Sequence, residues 1–492
     1  MRKIIFIFLF THCSLLIINA QWQSDVRLTI DSEYSGTTSY NNSRCIAANG
    51  NIVHVVWEDY RDGNNEIYYK RSTNGGVSWG VDTRLTNNSA SSLYPSISVS
   101  GQNVLVVWCD ERDGNKEIYC KYSNDGGVNW STDTRLTNNS ASSTLPSLAV
   151  YNQALHVVWQ DDREGNFMIY YKRSTDGGID WSADIQLTFN VGGSSSPTVA
   201  VTSQFVHVVW NDYRNGYNEI YYKGSTDGGV NWGSDIRLTN DLTGSFTPSI
   251  SVNGQVVYVV FRSDREGNPE IYYKGSADGG ASWGPDIRLT NNSAYSDHPS
   301  VTVSGLAVHV VFRDDRDGNP EIYYKCTTDG GVSWETDTRL TNNSANSYFP
   351  SVAVFGQIVH VVWCDERDGN MEIYYKRNPT GNSIGIKKIS SEIPINFILY
   401  QNYPNPFNPV TKIRFSLPYP SEGGAQTVKL VIYDILGREI ASLIPPLWGG
   451  KEGLQPGTYE VEFDASNLPS SVYFYKLVTE EYSQTKKMIL IK

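Results

Sequence analysis

Hydrophobic and polar positions recur along most of this chain with a period of 51 residues. Each copy contains a run close to Val-Val-Trp-x-Asp-x-Arg-Asp-Gly-Asn-x-Glu-Ile-Tyr-Tyr-Lys. Its aromatic anchor occurs seven times, at Trp57, Trp108, Trp159, Trp210, Phe261, Phe312 and Trp363. A fixed period of this length is typical of repeat architectures. Because similar copies report mainly what the scaffold needs, we expect function to reside where the copies differ.

Within one copy, residues 95–138, the pattern predicts four short β-strands joined by tight turns. The strands begin at Pro95, Val104, Glu117 and Asp133, and polar turns containing glycine separate them. Such a pattern is typical of an up-and-down antiparallel sheet. The predicted sheet is apolar on both faces, and radial stacking of several sheets buries both faces. The sequence therefore predicts an all-β fold, with a seven-bladed β-propeller over residues 21–390.

Two segments compete to close the last blade. Residues 22–29 resemble a fourth strand standing ahead of the first full copy, and the last copy loses its final turn after Lys376. A strand from the N-terminus that completes the last blade explains both observations. Residues 383–390 are the alternative, and the sequence leaves this choice open. An open solenoid is the rival architecture, but it needs atypical polar end repeats that this chain lacks.

The first twenty residues have the pattern of a secretory signal peptide. Arg2 and Lys3 precede an apolar run that ends at Ala20, which predicts export. No later stretch approaches the ~18 apolar residues that cross a bilayer. The formal net charge is -12, and it becomes -14 without Arg2 and Lys3. This balance argues against nucleic acid and anionic membranes as partners, since both attract clustered Lys and Arg.

Cysteine and histidine positions do not predict a metal site or a cofactor. The cysteines that follow the signal peptide are Cys45, Cys109, Cys120, Cys326 and Cys364. They lack metal-ligand spacing, although a disulfide between Cys109 and Cys120 is left open. The histidines three residues before the anchor are His54, His156, His207, His309 and His360. One histidine per blade favours packing over metal binding, and calcium at the acidic turns is a minor alternative because their spacing differs from that of EF-hands.

The turn after the third strand carries a second motif. It reads Ser-Asn-Asp-Gly-Gly-Val-Asn-Trp at Trp130, with five more copies ending at Trp79, Trp181, Trp232, Trp283 and Trp334. Its carboxylate can accept hydrogen bonds from the N–H groups of its own turn. The aspartates in question are Asp125, Asp176, Asp227, Asp278 and Asp329. This turn resembles the Asp-box (BNR) repeat of sialidases and related propellers, where it is a structural turn away from the active site, so the resemblance implies a fold and no reaction.

One arginine per copy follows the second strand. These arginines are Arg61, Arg112, Arg163, Arg214, Arg265, Arg316 and Arg367, usually two residues after an aspartate. In a propeller these turns share one face with the connections between blades. The arginines are therefore candidates for a rim that binds carboxylates or sugars. The alternative is that each arginine pairs with an acid of its own or the adjoining blade and fixes the turn.

Three arginines break the repeat. Arg262 and Arg313 directly follow the anchor, where other copies have neutral or acidic residues, and Arg44 replaces the proline that opens the first strand elsewhere. Sialidases bind the substrate carboxylate with three arginines from different blades, so the resemblance makes these three residues candidate ligands. The Arg-Ile-Pro motif of the family is missing, however, because this chain reads Arg44-Cys-Ile-Ala. No catalytic residue can be assigned, and drift at solvated strand ends is the alternative reading of Arg262 and Arg313.

The 51-residue repeat is absent from the last hundred residues, which have a different sequence pattern. The segment 403–418 begins Tyr-Pro-Asn-Pro-Phe-Asn-Pro, and the chain ends Lys-Lys-Met-Ile-Leu-Ile-Lys. Alternating strands predict a small Ig-like β-sandwich at 398–492, after a linker at 391–397. With the Tyr-Asp-Ile-Leu-Gly-Arg-Glu turn, these motifs resemble the type A sorting domain of type IX secretion. The resemblance implies contact with that machinery and a secreted or outer-membrane surface location in a Gram-negative, Bacteroidetes-like bacterium.

Three functions are compatible with this sequence. The favoured hypothesis is recognition of an extracellular glycan or protein through the rim of the propeller. A sialidase-like hydrolase acting on carboxylated sugars is the second hypothesis, and a structural or adhesive surface protein without a small-molecule ligand is the third.

Overall fold

The computed structural model describes residues 22–37, 43–379, 386–390, 392–419, 428–444, 456–465, 468–479 and 481–492. The predicted signal peptide, residues 1–20, lies outside this range, as does residue 391, the first of the predicted linker. Every regular element in the described residues is a β-strand. The same residues contain no helix with the length and apolar character of a membrane span.

The repeats form seven antiparallel sheets, numbered here 1 to 7 in the order of their anchor residues. Six sheets have four strands, and sheet 1 has a fifth short strand. The strands of sheets 1 to 4 are Ser35–Gly36, Ile46–Asn49, Ile52–Asp59, Glu66–Ser72 and Thr83–Arg84; Ser92–Ser100, Asn103–Asp110, Glu117–Ser123 and Thr134–Arg135; Ser143–Tyr151, Ala154–Asp161, Met168–Ser174 and Ile185–Gln186; and Ser194–Thr202, Phe205–Asp212, Glu219–Ser225 and Ile236–Arg237. Those of sheets 5 to 7 are Ser245–Asn253, Val256–Ser263, Glu270–Ser276 and Ile287–Arg288; Ser296–Ser304, Ala307–Asp314, Glu321–Thr327 and Thr338–Arg339; and Ser347–Phe355, Ile358–Asp365, Glu372–Asn378 and Val26–Arg27.

The seven sheets contact one another in a closed cycle. In each sheet the long first strand contacts the first strand of the next sheet, and that of sheet 7 contacts Ile46–Asn49 of sheet 1. Apolar side chains of neighbouring sheets form a shared core at each interface, with Trp57 and Trp108 completely buried. Both faces of every sheet are thus removed from water, as the apolar pattern requires.

The N-terminal segment completes sheet 7. Val26 pairs with Tyr375 and Arg27 with Tyr374, and the Trp22 ring packs edge-on against Tyr324 of sheet 6 at 4.9 Å between ring centroids. Trp22 thereby fills the place that Asp-box tryptophans fill at other interfaces. The alternative closing segment does not do this, because Ile386–Ser390 pairs with Gly457–Asp464 further along the chain. This pairing places the end of the ring before Ile386, not at residue 390.

Two details of the strands differ from the sequence pattern. The first strand begins about three residues before the proline, as in Ser92–Ser100, because a bulge between Leu93 and Ser96 continues the pairing. Tyr94, the residue before Pro95, adopts a left-handed φ of 56° there. The fourth strand is short, Thr134–Arg135, and it begins one residue after the predicted start at Asp133. The chain nevertheless stays attached beyond it, since Leu136 N donates to Ile118 O at 2.8 Å.

The C-terminal residues form two further four-stranded antiparallel sheets. In spatial order their strands are Ile386–Ser390, Gly457–Asp464, Val410–Leu417 and Ile398–Leu399; and Glu439–Ile444, Lys429–Tyr433, Ser471–Val478 and Ser483–Leu490. Side chains from both sheets, including Phe415, Val461, Leu430 and Tyr475, share one buried core. Two layers over one core are the arrangement that alternating strands predict.

Candidate functional site

The seven recurrent arginines are engaged by acids of their own repeat. Arg112 is representative: Nε donates to Asp110 Oδ1 at 2.8 Å, Nη2 to Asp110 Oδ2 at 2.6 Å and Nη1 to Asp133 at 2.8 Å. Its guanidinium also lies over the Tyr119 ring, 4.5 Å from the centroid. Burial alone would raise the pKa of Asp110, but hydrogen bonds from Arg112 and Trp108 outweigh it and hold this pKa below its usual range. These contacts favour a role in fixing the turn.

The remaining six arginines repeat this geometry, with one variation. In sheet 5 Ser263 replaces the aspartate, so Arg265 Nε donates to Ser263 Oγ at 2.9 Å, and Nη1 pairs with Asp286 at 2.7 Å. The other five arginines donate from Nε and Nη2 to the two carboxylate oxygens of the aspartate two residues before them. They are Arg61, Arg163, Arg214, Arg316 and Arg367. Ligand binding by this set would therefore have to compete with seven preformed ion pairs.

The carboxylates of the Asp-box turns accept hydrogen bonds from their own turns. Asp227 accepts hydrogen bonds from Val230 N at 3.1 Å, Asn231 N at 2.9 Å and Asn231 Nδ2 at 2.7 Å. The hydrogen bonds from Asn231 are the main reason that the pKa of Asp227 is lowered to about 2. Trp232 at the end of the turn packs edge-on against Tyr171 of the preceding sheet, at 4.9 Å. The motif thus links neighbouring sheets and offers no unengaged carboxylate.

The recurrent histidines lie inside the sheets. His207 is representative: it is 1% exposed, and its Nδ1 lies 2.8 Å from the hydroxyl of Tyr222 on the next strand. Burial lowers the pKa of His207 to about 4, so the imidazole is neutral at pH 7. His54, His156, His309 and His360 have the same tyrosine contact. In the described residues, no three His, Cys, Asp or Glu side chains group as metal ligands.

Arg44 extends into the interior of the ring. It belongs to sheet 1, but its Nη2 donates to Ile250 O and Ser251 Oγ of sheet 5, both at 3.2 Å. Sheets 1 and 5 are not neighbours, so the side chain must cross the space enclosed by the first strands. Burial lowers the pKa of Arg44. The residue that replaces a proline therefore braces the ring internally and does not join the other two exceptional arginines.

Arg262 and Arg313 lie on either side of one tyrosine. The Tyr295 ring centroid is 5.0 Å from the guanidinium carbon of Arg262 and 5.1 Å from that of Arg313. Arg262 Nη1 also donates to Tyr295 OH at 2.6 Å and to Asp297 at 3.2 Å. Tyr295 OH in turn donates to Asp297 Oδ2 at 2.8 Å. We call these four residues, together with Phe246 and Tyr348, the Arg262–Arg313 cluster.

The outer members of the cluster add aromatic surface. Phe246 lies 4.9 Å from the guanidinium of Arg262, and Tyr348 lies 5.2 Å from that of Arg313. Both rings, like Tyr295, are partly exposed. Residues from sheets 5, 6 and 7 are thus brought together at the end of the ring that carries the Asp-x-Arg turns, because Asp297 pairs with Arg313 where strands one and two of sheet 6 meet.

Each arginine of the cluster is already paired with carboxylates. Arg262 forks onto Asp264 with two 2.8 Å hydrogen bonds, and Arg313 forks onto Asp315 at 2.9 and 2.8 Å. Burial would lower the pKa of Arg262, but the hydrogen bonds to Asp264 and the charge of Asp297 raise it. Burial and the neighbouring Asp297 raise the pKa of Tyr295 to about 12. Two cations thus face three carboxylates, and the cluster has no excess positive charge.

Sequence reasoning found the two arginines and missed their partners. Tyr295, Asp297 and Phe246 were not singled out, although Asp297 and Phe246 occupy a repeat position where sheets 2, 3 and 4 have Leu93, Thr144 and Ser195. Tyr295 stands where sheets 2 and 3 have Ser91 and Ser142. A position-by-position comparison of the repeats would have found these residues. Their spatial convergence depends on the ring.

The five cysteines of the described residues are buried and form no disulfide. Cys109 pairs with Ile118 and Cys120 with Val107, so the two thiols are not opposite each other in the hairpin. Burial raises the pKa of both thiols to about 12. These sites therefore lack the thiolate that redox or nucleophilic chemistry requires.

Comparison with known families agrees with both predicted resemblances. The BNR repeat-like domain matches residues 152–361, and the secretion system C-terminal sorting domain matches residues 401–492. A sorting domain of this kind indicates type IX secretion, and hence a secreted or cell-surface protein. A search of curated proteins found no match.

Similar solved structures include glycan-acting proteins at low identity. The polysaccharide lyase Uly1 is 10% identical, with a TM-score of 0.47, over 69% of this chain and 90% of the lyase. The endosialidase of phage phi92 is 11% identical, with a TM-score of 0.46, over 88% and 80% of the two chains. A sialidase of Trypanosoma rangeli is 11% identical, with a TM-score of 0.43, over 83% and 85%. At these scores the likenesses carry no argument about activity. By its two domain matches, the chain contains a BNR repeat-like domain at 152–361 and a secretion system C-terminal sorting domain at 401–492.

Proposed function

We propose that this protein is an exported, non-catalytic receptor that recognises an extracellular glycan through the Arg262–Arg313 cluster. The propeller has seven blades in this proposal, one for each sheet. The closed cycle of contacts between first strands and the insertion of Trp22 against sheet 6 support that number. The C-terminal sheets form an Ig-like sandwich that engages the type IX secretion machinery.

The chemistry of the cluster favours a neutral sugar over an anion. Sugar rings present C–H faces that pack on aromatic rings and hydroxyl groups that need fixed polar partners. Phe246, Tyr295 and Tyr348 supply partly exposed rings, while Asp297 is fixed by neighbouring groups. A carboxylated sugar would need unpaired arginines, and both guanidinium groups here fork onto aspartates. This internal neutralisation is the single observation that carries the proposal.

A sialidase-like hydrolase is the second candidate, and one contact favours it. Tyr295 donates to the buried carboxylate of Asp297 between two arginines, a pairing of a hydroxyl with a carboxylate that could serve nucleophilic chemistry. Two observations weigh against this candidate. The raised pKa of Tyr295 makes its phenolate scarce at neutral pH, and Arg44 is held by Ile250 O and Ser251 Oγ. The cluster therefore lacks a third arginine and an activated nucleophile.

A binding assay with matched variants tests the proposal. The mature protein is screened on an array of neutral and sialylated glycans, and hits are measured by isothermal titration calorimetry. Tyr295→Ser introduces the residue of sheets 2 and 3, so it removes the ring with little risk to the fold. We expect a loss of affinity of about tenfold or more, equivalent to about 1.4 kcal/mol. Tyr151→Ala removes a more exposed tyrosine at the other end of a first strand and should leave binding unchanged.

The competing functions give different results in the same experiments. Hydrolysis of a fluorogenic sialoside that disappears in Arg262→Ala or Arg313→Ala would replace the receptor proposal with the hydrolase. Neither binding nor hydrolysis across the array would favour a structural or adhesive protein. Deletion of residues 398–492 tests the export step separately, since unchanged delivery to the cell surface would refute the role of the C-terminal domain.

A further inference from the structure

One interface of the ring differs from the other six. At six interfaces a tyrosine on the third strand of one sheet packs edge-on against a tryptophan of the next sheet. These pairs are Tyr69–Trp130, Tyr171–Trp232, Tyr222–Trp283, Tyr273–Trp334, Tyr324–Trp22 and Tyr375–Trp79. Between sheets 2 and 3 the equivalent residue is Cys120, and Leu105 stands where five sheets have the histidine that contacts this tyrosine. Sheet 2 therefore lacks both the tyrosine and the histidine, whereas the tryptophan of sheet 3, Trp181, is present.

A cavity of about 250 Å³ lies at this same interface. Leu105, Tyr122, Val150, Leu155 and Ile179 form its apolar wall, and polar residues that include Asn103, Asn152, Gln153 and Asp176 line the rest. It opens to solvent, as shown by the 72% exposure of Ile179. A dry apolar cavity of roughly 150 Å³ is large enough to bind benzene, so a single aromatic ring fits here.

The cavity also borders a main-chain acceptor that has lost its usual donor. The first glycine of the Asp-box accepts a hydrogen bond from the preceding sheet elsewhere, as Gly126 O does from Arg71 at 2.9 Å and Gly279 O from Tyr222 at 3.1 Å. The corresponding glycine, Gly177, is among the residues that line the cavity. Within the described part of the chain no side chain donates to its carbonyl, because Tyr122 stands in place of the arginine. An acceptor beside the apolar wall of the cavity favours a ligand with an apolar ring and one O–H donor.

We infer that the cavity between sheets 2 and 3 binds a small phenol, whose ring contacts Leu105 and Leu155 and whose hydroxyl donates to Gly177 O. The phenol class follows from the repeat itself. At four equivalent interfaces, those that follow sheets 1, 3, 4 and 7, a tyrosine hydroxyl lies so close to the second glycine of the Asp-box that a Cβ there would approach it within 2.0 Å. At Gly178 a Cβ would instead meet Leu155 at 3.2 Å and Tyr122 at 3.7 Å. Leu155 and Tyr122 thus occupy part of the space of the missing tyrosine, and the cavity beside Leu105 and Gly177 corresponds to its hydroxyl end, which indicates the polarity of the ligand.

Binding of p-cresol to the full mature protein tests this inference, by saturation-transfer NMR and by the rise in melting temperature with ligand. Toluene has the same ring and methyl group without the hydroxyl, and we expect it to bind about tenfold more weakly. N-acetyl-tyrosinamide distinguishes the source of the phenol. Its binding would indicate a tyrosyl side chain of a partner, and binding of p-cresol alone would indicate a free small phenol.

Two variants refill the site in different ways. Leu105→His with Cys120→Tyr restores the pair used at other interfaces, and Tyr122→Arg restores the donor to Gly177 O. Each should reduce p-cresol affinity about tenfold or more, while Arg71→Tyr, made at the interface of sheets 1 and 2 where Tyr69 remains, should leave it unchanged. No saturable p-cresol binding, or equal binding by the wild type and Tyr122→Arg, would overturn the inference. Neither result bears on glycan binding at the Arg262–Arg313 cluster.

Discussion

Closure of the ring by the N-terminal segment predicts that Trp22→Ala destabilises the protein as much as loss of an internal tryptophan. Trp22 is half-buried and lies edge-on to Tyr324, with centroids 4.9 Å apart and planes at 74°. Trp232 at the interface of sheets 3 and 4 is also half-buried, with 4.9 Å and 76° to Tyr171. The two contacts have the same geometry. Trp22, however, lies some three hundred positions before Tyr324 in the sequence, whereas Trp232 follows Tyr171 by little more than one repeat.

The expected size follows from burial and ring geometry. Truncation of a fully buried tryptophan costs about 3–5 kcal/mol, so a half-buried one costs about 2 kcal/mol. Loss of the edge-to-face contact adds about 0.5 kcal/mol. With an unfolding entropy of about 2.1 cal/mol/K per residue over roughly 360 residues, a loss of about 2.5 kcal/mol lowers the melting temperature by about 3 °C.

Differential scanning calorimetry on the wild type, Trp22→Ala and Trp232→Ala measures this prediction. If the ring is closed, the melting temperature should decrease by about the same amount in both variants, and the ring should unfold in one transition. In an open stack the N-terminal segment would be a free end, and Trp22→Ala would behave like the wild type. That outcome, with Trp232→Ala still destabilised, would refute the closed ring and the convergence of sheets 5, 6 and 7 on one site.

Three further predictions concern the interior of the ring. Burial lowers the pKa of His207 to about 4, whereas a histidine of the unfolded chain has a pKa near 6.5. As the pH falls from about 6.5 to 4, the unfolded chain therefore binds the proton first and the free energy of unfolding decreases. His207→Leu should reduce the slope of this free energy against pH, measured by urea titration, by about one proton, and an unchanged slope would contradict the prediction. Arg214→Ala leaves the buried Asp212 carboxylate without its fork and should cost about 3 kcal/mol, partly recovered when Asp212→Asn is added; chemical denaturation measures both. Cys109 and Cys120, with pKa values raised to about 12, should not react with a thiol reagent until the protein unfolds, and fast labelling in the native state would disprove their burial.

Much of the scaffold could be predicted because each repeat forms its strands, turns and ion pairs from residues close together in the sequence. Alternating apolar positions give strands, and glycines such as Gly228, with a φ of 70°, permit the turns. The acids and arginines of the turns pair within about twenty residues, as Arg112 does with Asp110 and Asp133. Short-range pairing of this kind is visible in sequence spacing. The boundary at residue 390 was misplaced because the apolar pattern of 386–390 fits a strand in either unit.

The sequence alone determined that the chain is all-β, that its sheets recur at a fixed interval, and that its tail is a sorting domain, because periodicity, turn chemistry and local motifs are properties of the linear chain. Only the tertiary structure decided which strand closes sheet 7, that Arg44 reaches Ile250 across the interior, and that Arg262 and Arg313 share Tyr295. It also located the cavity between sheets 2 and 3. Each of these features depends on contacts between different repeats, often distant along the chain, and closure of the ring is what brings such residues within a few ångströms.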